Sequence, residues 1–126
     1  MYVYCNPNPC GRKVGDCVIR AVAIAENISW YEAYDILCNF GRMYCNWGNG
    51  NEAYGAFLRY MGYEQYGLPK RCPICYTVAD FCKEHPYGTY IVGTGNHVVA
   101  IIDGNHIDAW DSCNEIIDRF FKKEEW

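Results

Sequence analysis

The order of patterns along the chain predicts an α+β fold, with helices first and an antiparallel sheet packed against them at the end. Three observations carry that expectation. Up to about residue 84 the apolar residues recur at helical spacing. From Thr89 onward the period changes to that of strands. Between them in importance stands the run Cys17-Val18-Ile19-Arg20-Ala21-Val22-Ala23-Ile24-Ala25, apolar nearly all round and free of Gly and Pro. A helix of that composition is buried, so it is the expected centre of the molecule.

Residues 1–15 read as an extended lead-in. Asn6-Pro7-Asn8-Pro9 is turn chemistry twice over, because each Asn before Pro is pushed out of the helical region. Asp16 is placed to cap the buried helix, which runs from Cys17 to about Glu26. Ser29-Trp30-Tyr31-Glu32 has the S-x-x-E pattern of a capping box and opens a second helix. Its expected buried stripe is Trp30, Ala33, Tyr34, Leu37 and Cys38, with Gly41 as its stop. A Gly/Asn loop spans 45–51. A third helix follows from Glu52 to about Met61, closed by Gly62. Tyr63-Glu64-Gln65-Tyr66 reads as a short strand and 67–75 as a loop. Thr77 opens a fourth helix that ends before His85-Pro86. Thr89–Gly93, His97–Ile102, His106–Trp110 and Glu115–Phe121 read as four strands.

A chain of 126 residues is expected to form one domain, 1–126, with enough core to stand without staples. A net charge of -4 with no basic cluster argues against nucleic-acid binding. No apolar run has the length of a membrane span, and the first residues lack signal-peptide character, so the expected location is cytoplasmic. Nine cysteines, an odd number, argue against a disulfide framework; most are expected to be free thiols serving as small hydrophobes, Cys38 among them.

Position singles out one thiol. Cys17 opens the buried helix, where the helix dipole favours thiolate over thiol, and the thiolate is the nucleophile. Its expected partner is His97, which opens the apolar run Val98-Val99-Ala100-Ile101-Ile102. His85 and His106 read as exposed structural residues. Cys72, Cys75, Cys82 and His85 have the spacing C-x2-C-x6-C-x2-H, which would suit zinc. The stretch between them reads as the start of a helix, however, and no metal or other cofactor is expected. Gly93-Thr94-Gly95-Asn96 precedes a strand, not a helix, and so lacks the setting of a phosphate loop.

A cysteine at the start of a buried helix, a later histidine at the start of a strand and an acid on the next strand resemble the papain-like thiol peptidases. The chain also resembles a group of small uncharacterised bacteriophage proteins. The matching pieces are Asn6-Pro7-Asn8-Pro9, Asp16-Cys17-Val18-Ile19-Arg20-Ala21, Gly88-Thr89-Tyr90, His97-Val98-Val99-Ala100 and Asp108-Ala109-Trp110-Asp111-Ser112. The resemblance implies a papain-like fold and a Cys17–His97 dyad acting on a peptide or protein substrate. If the chain is phage-encoded, the site of action is the host bacterial cytoplasm. Papain-like peptidases place a glutamine before the cysteine as oxyanion donor. Here none precedes Cys17, and Asn6 or Asn8 stands in its place. The alternatives are an inactive binding protein on the same fold that engages a host factor, and a small zinc-stabilised module.

The third member follows from hairpin register. With Asp103-Gly104-Asn105 as the loop, Ile102 pairs with His106 and Asp111 falls opposite His97. With Gly104-Asn105-His106, Asp111 falls opposite Val99 and stays on the face of His97. A Gly104-Asn105 loop puts Ser112 opposite His97 and turns Asp111 away. In these three registers Asp108 is on the wrong face or too far along the strand. The expected acid is therefore Asp111, whose competing role is to cap the turn into Ser112-Cys113-Asn114.

Overall fold

The computed structural model describes residues 1–12, 14–48, 50–67 and 76–124. Four helices and six strands follow one another as β1 (Tyr2–Tyr4), α1 (Cys17–Glu26), α2 (Trp30–Met43), α3 (Asn51–Tyr60), β2 (Tyr63–Gly67), α4 (Val78–Glu84), β3 (Thr89–Gly93), β4 (Val98–Ile102), β5 (Asn105–Asp108) and β6 (Arg119–Lys123). The fold is α+β. The strands form one sheet in the order β1-β5-β4-β3-β6-β2.

Alternation along the central strands assigns the two faces. Ile91, Val98, Ala100 and Phe121 point to α1, α2 and α3 and share a core with Val22, Leu37, Phe57 and Leu58. Tyr90, Val92, Val99 and Ile101 point the other way and meet Val78, Phe81 and Cys82 of α4. Because both faces are covered, β3 and β4 read as continuous apolar runs instead of alternating ones.

Several expectations are corrected. The sheet is mixed, not wholly antiparallel. β1, placed in the lead-in by its sequence, pairs in parallel with β5, Tyr2 beside His106 and Tyr4 beside Asp108. The last strand begins at Arg119, later than Glu115, because Glu115 and Ile117 are taken up by backbone bonds to Val78 and Tyr76. In α2 the buried side is Ala33, Leu37 and Gly41, backed by Ile36 and Phe40, while Tyr34 and Cys38 are exposed. Trp30 pulled the sequence reading of that stripe about a sixth of a turn round. Gly41 does not stop the helix. A Cβ there would stand 2.7 Å from both the Asn46 carbonyl oxygen and the Gly48 nitrogen, so it is the point where the following loop folds back on α2.

The hairpin between β4 and β5 matters most. Ala100 pairs with Ile107, Ile101 with His106 and Ile102 with Asn105. The loop is therefore Asp103-Gly104, with both residues at positive φ, 50° and 77°. Those signs are the signature of the type I′ turn, whose twist matches that of paired strands. This register differs from all three weighed from the sequence. The pairing ends at Ala100–Ile107, and just beyond it Asp108 and Trp110 both meet His97.

No helix among the described residues is long and apolar enough to cross a membrane.

Candidate functional site

The backbone of Asp16 accepts the first bond of α1, from Arg20 N–H, but its side chain makes no cap. The carboxylate turns inward instead. It accepts hydrogen bonds from Arg20 Nη1, from Asn8 Nδ2 at 3.1 Å and from Trp30 Nε1 at 2.9 Å. This leaves the first-turn amides of α1 without an intrahelical partner. Cys17 sits there, half-buried.

His97, buried at the opening of β4, stands between Cys17 and Asp108. Its Nε2 lies 2.7 Å from Asp108 Oδ2, and the ring also interacts with Cys17. Burial disfavours the Cys17 thiolate. The hydrogen bonds from His97 and the Val98 backbone outweigh it, helped by the charges of His97 and Arg20, and the thiol pKa falls below its ordinary value. Burial disfavours the imidazolium too. The hydrogen bonds to Asp108 and Cys17, and their negative charges, win again and push His97 up to about 9.

Charge balance reinforces this. Arg20 is buried in the first turn of α1, with Nε 3.2 Å from Asp108 Oδ1 and Nη1 on Asp16. Two buried carboxylates thus face one guanidinium. Protonated His97 is the second cation and balances the second carboxylate; the Cys17 thiolate adds a third negative charge to the set. The rest of the Asp108 carboxyl is satisfied by its neighbour, Ala109 N–H, at 2.7 Å. The backbone carbonyl of Asp108 takes Cys5 N–H at 2.9 Å. The half-exposed Trp110 ring lies over the imidazole, centroids 4.6 Å apart, and forms one wall of a cleft of about 390 Å³ with Arg12, Val14, Arg20 and Ala109.

Cys17 and His97 are brought together as expected. Asp111 is not on His97. Its Oδ1 lies 2.8 Å from Nε2 of His106 and accepts Cys113 N–H at 3.0 Å, the turn-capping role weighed against it. The acid on His97 is Asp108, excluded earlier because every register considered placed Asn105 within the loop. The Asp103-Gly104 dipeptide was the signal for the correct turn. His106, expected to be exposed, is buried beneath β1 and meets Tyr2, ring centroids 5.3 Å apart. The sequence reading assigns no site role to Arg20, Trp30 or Trp110.

The two asparagines divide. Asn8 is committed: its amide nitrogen goes to Asp16 and its oxygen receives Cys10 N–H at 3.0 Å. Asn6 uses its oxygen on Asn8 N–H at 3.1 Å, and its amide nitrogen makes no hydrogen bond among the described residues. The zinc spacing is only partly visible, since Cys72 and Cys75 lie outside the described residues. Cys82 lies 3.8 Å from His106 Nδ1, and His85 stacks on Phe81 and donates from Nδ1 to the Phe81 carbonyl. Among the described residues no group of three or more His, Cys, Asp or Glu is arranged to hold a metal ion.

Compared with protein-family models, with curated proteins and with solved structures, the chain gives no match.

Proposed function

We propose that the chain is a papain-like cysteine hydrolase acting on peptide or isopeptide bonds, with Cys17 as nucleophile, His97 as acid and base and Asp108 as the group that holds the imidazole. The observation that carries this reading is His97, hydrogen-bonded to Asp108 and near enough to Cys17 that each shifts the other's pKa, with the histidine raised to about 9.

In this reading the Cys17 thiolate adds to the carbonyl carbon of the scissile bond. The oxyanion is received by the Cys17 backbone amide at the start of α1, with Asn6 Nδ2 as the second donor. His97 gives its proton from Nδ1 to the departing amine, leaving an acyl-thioester. It then takes a proton from water, which attacks the thioester and frees Cys17. Asp108 keeps Nε2 occupied, so that Nδ1 alone serves the reaction. Arg20 fixes Asp108 through the hydrogen bond from its Nε. The cleft under Trp110 is the place for the substrate next to the reacting bond. Cys5, Cys10, Cys17, Cys38, Cys45, Cys82 and Cys113 all carry free thiols, which suits work in a reducing cytoplasm.

A second reading is a silent binding protein on the same fold. It is favoured by the commitment of Asn8 to Asp16, which removes one oxyanion donor, and by the exposed Tyr31, Met43, Tyr44 and Trp47 on and just after α2. One experiment separates the two. The protein is treated with a peptidyl vinyl sulfone and assayed on quenched peptide and isopeptide substrates, alongside Cys17→Ala. Turnover and a single adduct at Cys17, both lost in the variant, are expected for the hydrolase. An adduct without turnover selects the binding protein, and turnover that survives in the variant removes Cys17 from the chemistry.

A further inference from the structure

Away from Cys17, on the α4 side of the sheet, a second cysteine stands in line with a histidine and an acid. Cys82 Sγ lies 3.8 Å from Nδ1 of His106, and Nε2 of His106 lies 2.8 Å from Asp111 Oδ1. Cys82 and His106 are both buried, on elements brought together by packing of α4 against β5. The three side chains line one cavity of about 540 Å³, whose wall also includes Tyr2, Lys83 and Cys113. That is room for a small organic molecule.

The arrangement differs from the Cys17 site in ways that decide its chemistry. Cys82 is the fifth residue of α4, so its amide lies inside the helix and no free first-turn amides surround the sulfur. The site therefore lacks the donors that acyl transfer needs for a tetrahedral oxyanion. Burial raises the thiol pKa, against the lowering charge of the N-terminal amine, and so favours S–H over thiolate. Nε2 of His106 is taken by Asp111, and Nδ1 faces the Cys82 sulfur. A base beside a protonated thiol suits a reaction that consumes both sulfur and proton and expels nothing.

We propose that Cys82, His106 and Asp111 form a second thiol site, which takes small α,β-unsaturated carbonyl compounds by conjugate addition. The Cys82 sulfur bonds to the β-carbon while its proton passes to Nδ1 of His106. The carbon–carbon π pair moves toward the carbonyl, giving an enolate whose negative charge is met by the Lys83 ammonium at the rim. His106 then returns the proton to the α-carbon. The net change is addition of S–H across the double bond, with no leaving group and no oxidant. Asp111 acts as a positioning residue that holds the ring tautomer.

The test uses the full chain carrying Cys17→Ala, so that its result is separate from the fate of the hydrolase reading. N-ethylmaleimide is added at limiting amounts and each cysteine is followed by peptide mass mapping. Cys82 is expected to be modified, and His106→Gln to slow that modification at least about tenfold while the exposed Cys38 and Cys45 keep their rates. An unchanged Cys82 rate in the His106 variant overturns the proposal. If that variant does not fold, size selectivity decides instead. N-ethylmaleimide is expected to reach Cys82 while a polymer-linked maleimide reaches only the exposed thiols. Equal labelling of Cys82 by both reagents, or by neither before denaturation, overturns the proposal.

Discussion

Arg20 and Asp108, 88 positions apart in sequence, meet in the interior with Nε 3.2 Å from Oδ1, and this contact joins the cysteine helix to the strand that serves the histidine. Arg20 binds Asp16 with the other end of its guanidinium. One side chain thus fixes both the carboxylate before Cys17 and the carboxylate behind His97.

Removing Arg20 is expected to cost stability. Arg20→Met leaves Asp16 and Asp108 buried without their cation, and breaking a buried pair in this way costs about 3–5 kcal/mol. Guanidinium denaturation followed by circular dichroism measures the loss. A change below about 1 kcal/mol would mean that the two carboxylates are reached by water.

The two acids of the hairpin separate by mutation. Asp108→Asn is expected to lower kcat/KM on the order of 10²-fold, through loss of ring orientation and of imidazolium stabilisation. Asp111→Asn, whose carboxylate serves His106, is expected to leave kcat/KM within about twofold. The reverse ranking would restore the assignment read from the sequence.

That assignment failed on a single residue. The helices, the central strands, Cys17 and His97 were legible because each is a local pattern: an apolar run, a cap, a strand opening. The third member depends on register, and register depends on which residues make the turn. Asp103 and Gly104 both take positive φ, which the Asp-Gly pair announces, yet Asn105 was drawn into the loop and every partner moved with it. Arg20 gives no local signal, since the carboxylate at residue 108 that accounts for its burial is remote in sequence. β1 gave no signal because three residues show no period, and its pairing is made by β5.

The pH dependence follows from the two shifted groups. The reactive pair needs Cys17 deprotonated and His97 protonated. With the thiol below its ordinary value and the histidine at about 9, kcat/KM is expected to rise through the lowered thiol pKa and fall again near pH 9. Asp108 raises the histidine, so Asp108→Asn is expected to move the alkaline limb to lower pH. An alkaline limb that stays near pH 9 in that variant would show that another group sets it.

Gly41→Ala tests the turn back from α2. The added methyl would meet the backbone of Asn46 and Gly48 at 2.7 Å, and neither can withdraw as a flexible side chain would. A loss of about 1–3 kcal/mol is expected from such overpacking, read by thermal or urea unfolding. Gly15→Ala, where an added Cβ meets nothing within 4 Å, provides the comparison and is expected to be mild.

β5 lies between β1 and β4, so the strand that carries Asp108 is seated by residues from opposite parts of the chain. Tyr2 donates its hydroxyl to the Asp108 carbonyl across 106 positions. During synthesis Cys17 leaves the ribosome long before its partners. At about 5–20 residues per second, the 91 positions from Cys17 to Asp108 take roughly 5–18 s to make. Throughout that interval the nascent polypeptide carries an ordinary thiol with neither imidazole nor carboxylate behind it. On the hydrolase reading, the Cys17 nucleophile is armed only once the β4–β5 hairpin has been made, and the growing chain is latent until then.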